Sequence, residues 1–228
     1  MAPAAPGVER FVSISELQGL VLWFIPVLLS LTVHEWAHAA TAHALGDDTA
    51  ARLGRMTLNP FAHVDPLGTV LLPALQVLTS GTVLFAWAKP VPVTPTRFPR
   101  KITMAKGMML VSAAGPISNL LMALAAAVAL GLALRTGQTS EAAFAFLQAM
   151  IGLNLALAIF NLIPLPPLDG SKVLLGLLPR GPAMAYERIF PYAPALLIAV
   201  FVLGDELVRW PMGVIGGWFT RLLMAIAG

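Results

Sequence analysis

No cysteine occurs anywhere in the chain. Disulfides, thiolate metal sites and a cysteine nucleophile are therefore excluded, and any zinc must be held by imidazole and carboxylate. Charge is nearly as scarce: 11% of the 228 residues are charged against 58% hydrophobic, and mean hydropathy is +0.82. Such a composition falls outside the usual range of a domain dissolved in water and points to lipid as the solvent. The net charge of +3 and the pI near 9.7 do not require nucleic acid, because basic loops that anchor membrane helices on the cytoplasmic side give the same excess. No nucleic-acid partner is expected. Groups able to ligate a metal are few: four histidines, at 34, 38, 43 and 63, five aspartates, at 47, 48, 65, 169 and 205, and no glutamate between Glu35 and Glu141.

What is abundant is uncharged sequence of membrane-spanning length. Residues 1–10 are rich in proline and small residues and are expected to form a flexible terminus. Residues 11–228 are expected to form one membrane domain, with its core at 17–178 and C-terminal helices at 189–228. A run from Leu17 to His34, without an Ala-x-Ala cleavage site after it, predicts a permanent first helix continuing to Leu45 and ended by Gly46. Gly107–Leu134 and Ala142–Leu168, the latter helical to about Leu162, reach the roughly 20 residues a span requires. Ile189–Gly204 is shorter, with Pro191 and Pro194 delaying its helix, and Trp210–Gly228 suits a last span or an interfacial helix.

Between Pro66 and Ala88, Gly68, Pro73, Ser80 and Gly81 break the sequence into a short helix and a strand-like piece, Val83–Ala88. This segment forms either a re-entrant or β-like hairpin or a further span. The fold class is thus an all-α polytopic membrane protein of five or six transmembrane helices. Leaving Arg221 aside, the hairpin topology puts ten Lys and Arg on one side of the membrane and three on the other. It also brings the end of the first helix and Asp169 to the same basic, hence cytoplasmic, face. The expected location is the cell membrane, with the active site toward the cytoplasm.

Within the first helix stands His34-Glu35-Trp36-Ala37-His38. A four-residue step on a helix puts both imidazoles on one face, where they can grip one metal ion, with Glu35 placed to take a proton from a metal-activated water. Ionisable groups inside an apolar span are expensive and usually face a cavity where they work. A catalytic zinc needs a third protein ligand. A histidine ten residues after the first is missing, since position 44 is Ala, and His43 points about 100° away from that face. Asp47 and Asp48 suit solvated capping or loop roles at the helix end, and Asp65 opens the broken segment. Asp169 differs in its setting. It follows Pro164, Pro166 and Pro167, which forbid regular helix there, and unwound backbone at membrane depth is tolerated only in protein or along a wet cavity. The alternative role for Asp169 is an N-cap for a helix over Ser171–Leu178, for which Ser171 is an equal candidate.

Together, H-E-x-x-H in one span and Asn161-Leu-Ile-Pro164-Leu-Pro166-Pro-Leu168-Asp169-Gly170 in a later one resemble the site-2 protease family of intramembrane metalloproteases. Ala114-Gly115-Pro116-Ile-Ser-Asn119 resembles a further segment of that family. The likeness covers Leu17 to Leu178 and looks like a compact branch without a soluble regulatory domain. It implies one zinc ion on His34, His38 and Asp169, Glu35 as general base, and Asn161 as a polar stabiliser of the oxyanion; an interhelical hydrogen bond is the plainer account of Asn161. His43 and His63 match no ligand position and suit polar contacts near the rim, though His63 stands where it could approach the site.

The implied reaction is hydrolysis of peptide bonds in transmembrane or membrane-adjacent proteins, as in regulated intramembrane proteolysis. Because a substrate helix hides its carbonyls, an enzyme strand has to receive the unwound segment, and Val83, Leu84, Phe85 and Ala86 are the expected edge. A membrane metal transporter is the competing class, and would string ionisable groups along its spans; Gly107–Leu134 and Ala142–Leu168 contain none. An inactive membrane scaffold is the third reading, which the complete set His34, Glu35, His38 and Asp169 opposes.

Overall fold

A computed structural model of the protein describes residues 14–73, 75, 87–137, 139–203 and 205–228. The first apolar run forms one helix, α1 (Ile14–Ala44). It ends as expected: Gly46 takes φ +88°, a left-handed conformation open to glycine because it has no Cβ. A four-residue helix, α2 (Thr49–Arg52), follows, then a π-helical turn over Pro66–Leu71. The remaining helices are α3 (Met104–Thr136), α4 (Glu141–Leu162), α5 (Asp169–Leu177), α6 (Arg180–Glu187), α7 (Ala193–Leu203) and α8 (Asp205–Ala227). The described residues are otherwise short 3-10 turns and loops, with no strand among them.

Local chemistry sets the ends of the long helices. The Thr103 hydroxyl accepts from the Lys106 N–H at the start of α3, and Gly137, with φ +67°, closes it. The Ser140 hydroxyl caps α4 through the Ala143 N–H, and α4 stops at Leu162, just before the proline cluster.

Helix α3 is the centre of the bundle, packed against α1, α4, α5 and α8. Small residues allow this: Ala123, Ala126 and Ala127 are buried, and a Cβ on Gly131 would meet Ile226 of α8 at 2.8 Å. Gly176 brings α5 equally close to α3, where an added Cβ would lie 2.4 Å from Met109 Cβ.

The bundle buries several polar side chains while turning large apolar ones outward. Ser30, Thr32, Ser112, Asn119 and Asn154 are buried, whereas Leu110, Ile117, Leu121 and Leu132 of α3 face outward. Helices α3 and α4 are long and apolar enough to cross a membrane. Helix α7, at 11 residues, extends about 16 Å, roughly half of a hydrocarbon core.

The short helix expected after Asp65 is the π-helical turn, and the Asp65 carboxylate caps it by accepting from the Leu67 and Gly68 N–H groups at 3.0 and 2.7 Å. The expected edge residues Val83, Leu84, Phe85 and Ala86 lie outside the described residues. Trp87 returns beside the turn, donating its N–H to the Gly68 carbonyl at 3.2 Å and accepting at its own carbonyl from the Thr69 hydroxyl.

Asp47 corrects one expectation. It is fully buried rather than solvated, accepting from the Thr49 N–H and hydroxyl and from the Thr94 N–H. Asp48 pairs with Arg52 and Arg97. Together the two aspartates tie the segment 87–98 to the end of α1.

Candidate metal centre

The four-residue step in α1 brings His34 Nε2 and His38 Nε2 to 3.0 Å from each other. Asp169 Oδ2 approaches each of them at 3.2 Å. All three residues are buried. Asp169 arrives there because α4 ends before the prolines and the chain restarts as α5 with Asp169 as its first residue. Gly170 permits the turn: a Cβ on it would sit 2.3 Å from the Leu162 carbonyl oxygen. The helix expected over Ser171–Leu178 thus begins two residues earlier. Neither Asp169 nor Ser171 is its cap; Leu168 takes that position, and the Ser171 hydroxyl donates to the Leu168 carbonyl.

The donor set fits a metal ion. His38 Nδ1 lies 2.7 Å from the Val111 carbonyl, which can only accept, so Nδ1 carries the proton and the Nε2 lone pair points inward. His34 Nδ1 lies 2.6 Å from Asn119 Oδ1, with the same result. Two imidazole lone pairs and a carboxylate oxygen therefore face one another. A single proton satisfies one of these contacts, whereas one central cation satisfies all three. Their separations approach the ~3.3 Å between ligand atoms of a tetrahedral zinc at ordinary bond lengths. This is the single group of three metal-competent side chains among the described residues.

Glu35, on the next position of α1, is buried, and its Oε2 accepts from the Val91 N–H at 2.9 Å. A cleft of about 840 Å³ opens over the centre, lined among others by His34, Glu35, His38, Asn161, Asp169 and Lys172. Asn161 makes its side-chain bond within its own helix, Nδ2 donating to the Leu157 carbonyl at 3.0 Å, rather than to another helix. His43 is exposed. His63 is buried, bonded through Nε2 to the Thr57 carbonyl, and is not part of the metal-competent group.

Three polar residues stand behind the histidines: Ser30 and Asn154, which sequence reasoning did not single out, and Asn119, which it placed in a family-like segment without a role. Their signal was present, since each is a polar group in the middle of an apolar helix.

A model of the family described as "Peptidase family M50" matches residues 132–201, which include Asn161 and Asp169. The chain is 42% identical over 195 residues to "Putative zinc metalloprotease YwhC" of Bacillus subtilis, a match spanning 82% of this chain and 84% of that one. The chain belongs to peptidase family M50. It is also 31% identical over 189 residues to "Putative zinc metalloprotease Rip2" of Mycolicibacterium smegmatis, covering 80% of this chain and 67% of the relative. With the protein of the same name from Mycobacterium tuberculosis, the identity is 33% over 196 residues, covering 84% and 67%. No solved structure matches. As an M50 member the chain is a metalloprotease with zinc as its cofactor, and the site-2 protease resemblance drawn from its motifs is upheld.

Proposed function

We propose that this M50 protein is an intramembrane zinc protease of the site-2 type, cutting transmembrane or membrane-adjacent substrates in regulated intramembrane proteolysis. The observation that carries the reading is the convergence of His34 Nε2, His38 Nε2 and Asp169 Oδ2 at 3.0 to 3.2 Å. These three residues hold the metal. Zinc, when bound, supplies Lewis acidity, polarising a carbonyl and bringing the acidity of a water toward neutrality. Glu35 takes the proton of the attacking water and passes it to the departing amine. Its carboxylate is steered by the Val91 N–H, which leaves the second oxygen for this exchange. Asn161, which also lines the cleft, donates to the oxygen on which negative charge develops.

A substrate helix has to unwind before its carbonyls reach Glu35, and Val83, Leu84, Phe85 and Ala86 are the residues proposed to receive it. The protein crosses the cell membrane five or six times as a single domain over residues 11–228, with the cleft toward the cytoplasm. Support comes from the outward-facing leucines of α3 and from the ten-to-three split of basic residues.

Purified parent protein should carry one zinc per chain and cleave a model transmembrane peptide. Asp169→Ala should lose most of both, as removing one of three ligands from a buried site requires. Stoichiometric zinc in Asp169→Ala would overturn the assignment.

A further inference from the structure

Behind the two histidines, Val111, Gly115 and Asn119 follow one another at four-residue steps on α3, so they share one face. Each touches the imidazole pair. Val111 offers its carbonyl to His38 Nδ1, Gly115 lies against both rings, and Asn119 Oδ1 meets His34 Nδ1 at 2.6 Å. Val111 and Gly115 act through backbone and through the lack of a side chain. Asn119 differs, because an amide can present either oxygen or nitrogen to its neighbour. Oxygen toward His34 fixes the tautomer whose Nε2 lone pair faces Asp169. Nitrogen toward His34 would turn that lone pair outward.

The surroundings of Asn119 decide which end faces the histidine. Its Nδ2 points at the Ser30 carbonyl, 3.3 Å away, and at Asn154 Oδ1, 2.8 Å away. The Ser30 carbonyl can only accept, so the nitrogen has to lie on that side. Asn154 is fixed in turn, its own Nδ2 donating to the Met150 carbonyl and to the Ser30 hydroxyl, each at 2.8 Å. Ser30, Asn119 and Asn154 are fully buried, with 0% exposure, and no water competes for these bonds. The chain of orientation runs from two backbone carbonyls, which cannot reverse their role, through two amides to one imidazole.

We infer that Asn119, locked by Asn154 and Ser30, is a positioning residue that sets the tautomer and ring orientation of His34 and so tunes zinc affinity. It touches neither substrate nor reacting atoms. The inference rests on His34, His38 and Asp169 being the ligands. Groups that orient a metal-bound histidine typically contribute 10- to 100-fold in metal affinity.

The test measures zinc dissociation constants by chelator competition, together with thermal midpoints of the metal-free chains, for the parent, N119A and N119D. N119A should weaken zinc by roughly 10- to 100-fold. N119D keeps an acceptor at His34 Nδ1 but turns its second oxygen toward the Ser30 carbonyl and Asn154 Oδ1. Its melting point should therefore fall while its zinc affinity stays near that of the parent. A merely structural role would make the two quantities fall together. N119A binding zinc as tightly as the parent, or N119D binding as weakly as N119A, overturns the inference. A parent chain that fails to bind zinc overturns instead the ligand assignment beneath it. Should N119A not fold, ¹⁵N-histidine spectra of the metal-free parent decide directly: the Nδ1–H tautomer at His34 supports the inference, and the Nε2–H tautomer sinks it.

Discussion

Glu35 is not free to swing. The Val91 N–H holds Oε2 at 2.9 Å, so the carboxylate is oriented before any substrate arrives. Glu35→Gln keeps the shape and an acceptor for Val91 but cannot take a proton. It should lower turnover by about 100- to 10,000-fold with zinc content unchanged; a variant as active as the parent, assayed on the same peptide, would refute the role. A second carboxylate works at the rim. Burial pushes the Asp47 carboxyl up, but hydrogen bonds from Thr49 and Thr94 and the charge of Arg97 outweigh that and hold it below its ordinary value. A depressed carboxyl contributes stability above its unfolded value and loses it as pH falls through the folded one. Asp47→Ala should therefore lower the thermal midpoint at pH 7, by roughly 1 to 3 kcal/mol of stability for bonds to a charged group. The gap from the parent should close below about pH 4. An equal gap at both pH values would show that Asp47 acts through packing alone. At this scale the sequence was legible where chemistry sits in a local pattern, as in His34-Glu35-x-x-His38 and Asp169-Gly170. It marked Asn119 within a family-like segment but gave it no role, because its partners His34 and Ser30 lie 85 and 89 positions away. An amide in an apolar helix announces that it has a partner without saying which.

Among elements, α3 does most to shape the site, and it does so through what it lacks. A Cβ on Gly115 would stand 2.5 Å from His38 Nε2 and 2.6 Å from His34 Cε1, closer than real contacts allow. The rings cannot retreat without breaking their bonds to Val111 and Asn119. Gly115→Ala should thus weaken zinc binding by roughly 10-fold or more, through displaced ligands rather than through loss of fold. Gly152 on α4 provides the contrast, with nothing within 4 Å of its would-be Cβ. Gly152→Ala should leave zinc binding intact and stabilise by about 0.4 to 1 kcal/mol, since alanine has less chain freedom to lose. Chelator competition and thermal melts on both variants separate the two kinds of glycine, and equal behaviour would show that α3 does not press on the histidines. The ends of α1 and α4 were legible from Gly46 and Pro164, because terminators act on their own backbone. The packing of one helix on another was not, because it depends on which small residue meets which neighbour. The start of α5 was placed two residues late for a related reason: Asp169 begins the helix while its side chain leaves for the histidines instead of capping it.

For the whole molecule, the outward-facing apolar residues of α3 and its membrane-spanning length support the proposed place in lipid, and the basic residues support the proposed orientation. Helix α3 links Lys101, just before its start, to Thr136 at its end, so a crossing α3 puts these two exposed positions on opposite sides of the membrane. The hairpin topology gives Lys101 to the basic, cytoplasmic side, together with Arg97, Arg100 and Lys172, and gives Arg135 to the other. Because the protein contains no cysteine, a single introduced thiol can be read without background. Thr136→Cys should react with a membrane-impermeant maleimide applied to intact cells, and Lys101→Cys only after the membrane is opened. The reverse pattern would put the cleft on the outer face, and labelling of both from outside would show that α3 does not cross. In either case the zinc-binding and Glu35 predictions would stand unchanged, because they depend on three side chains meeting in a buried cleft and not on which compartment that cleft opens to.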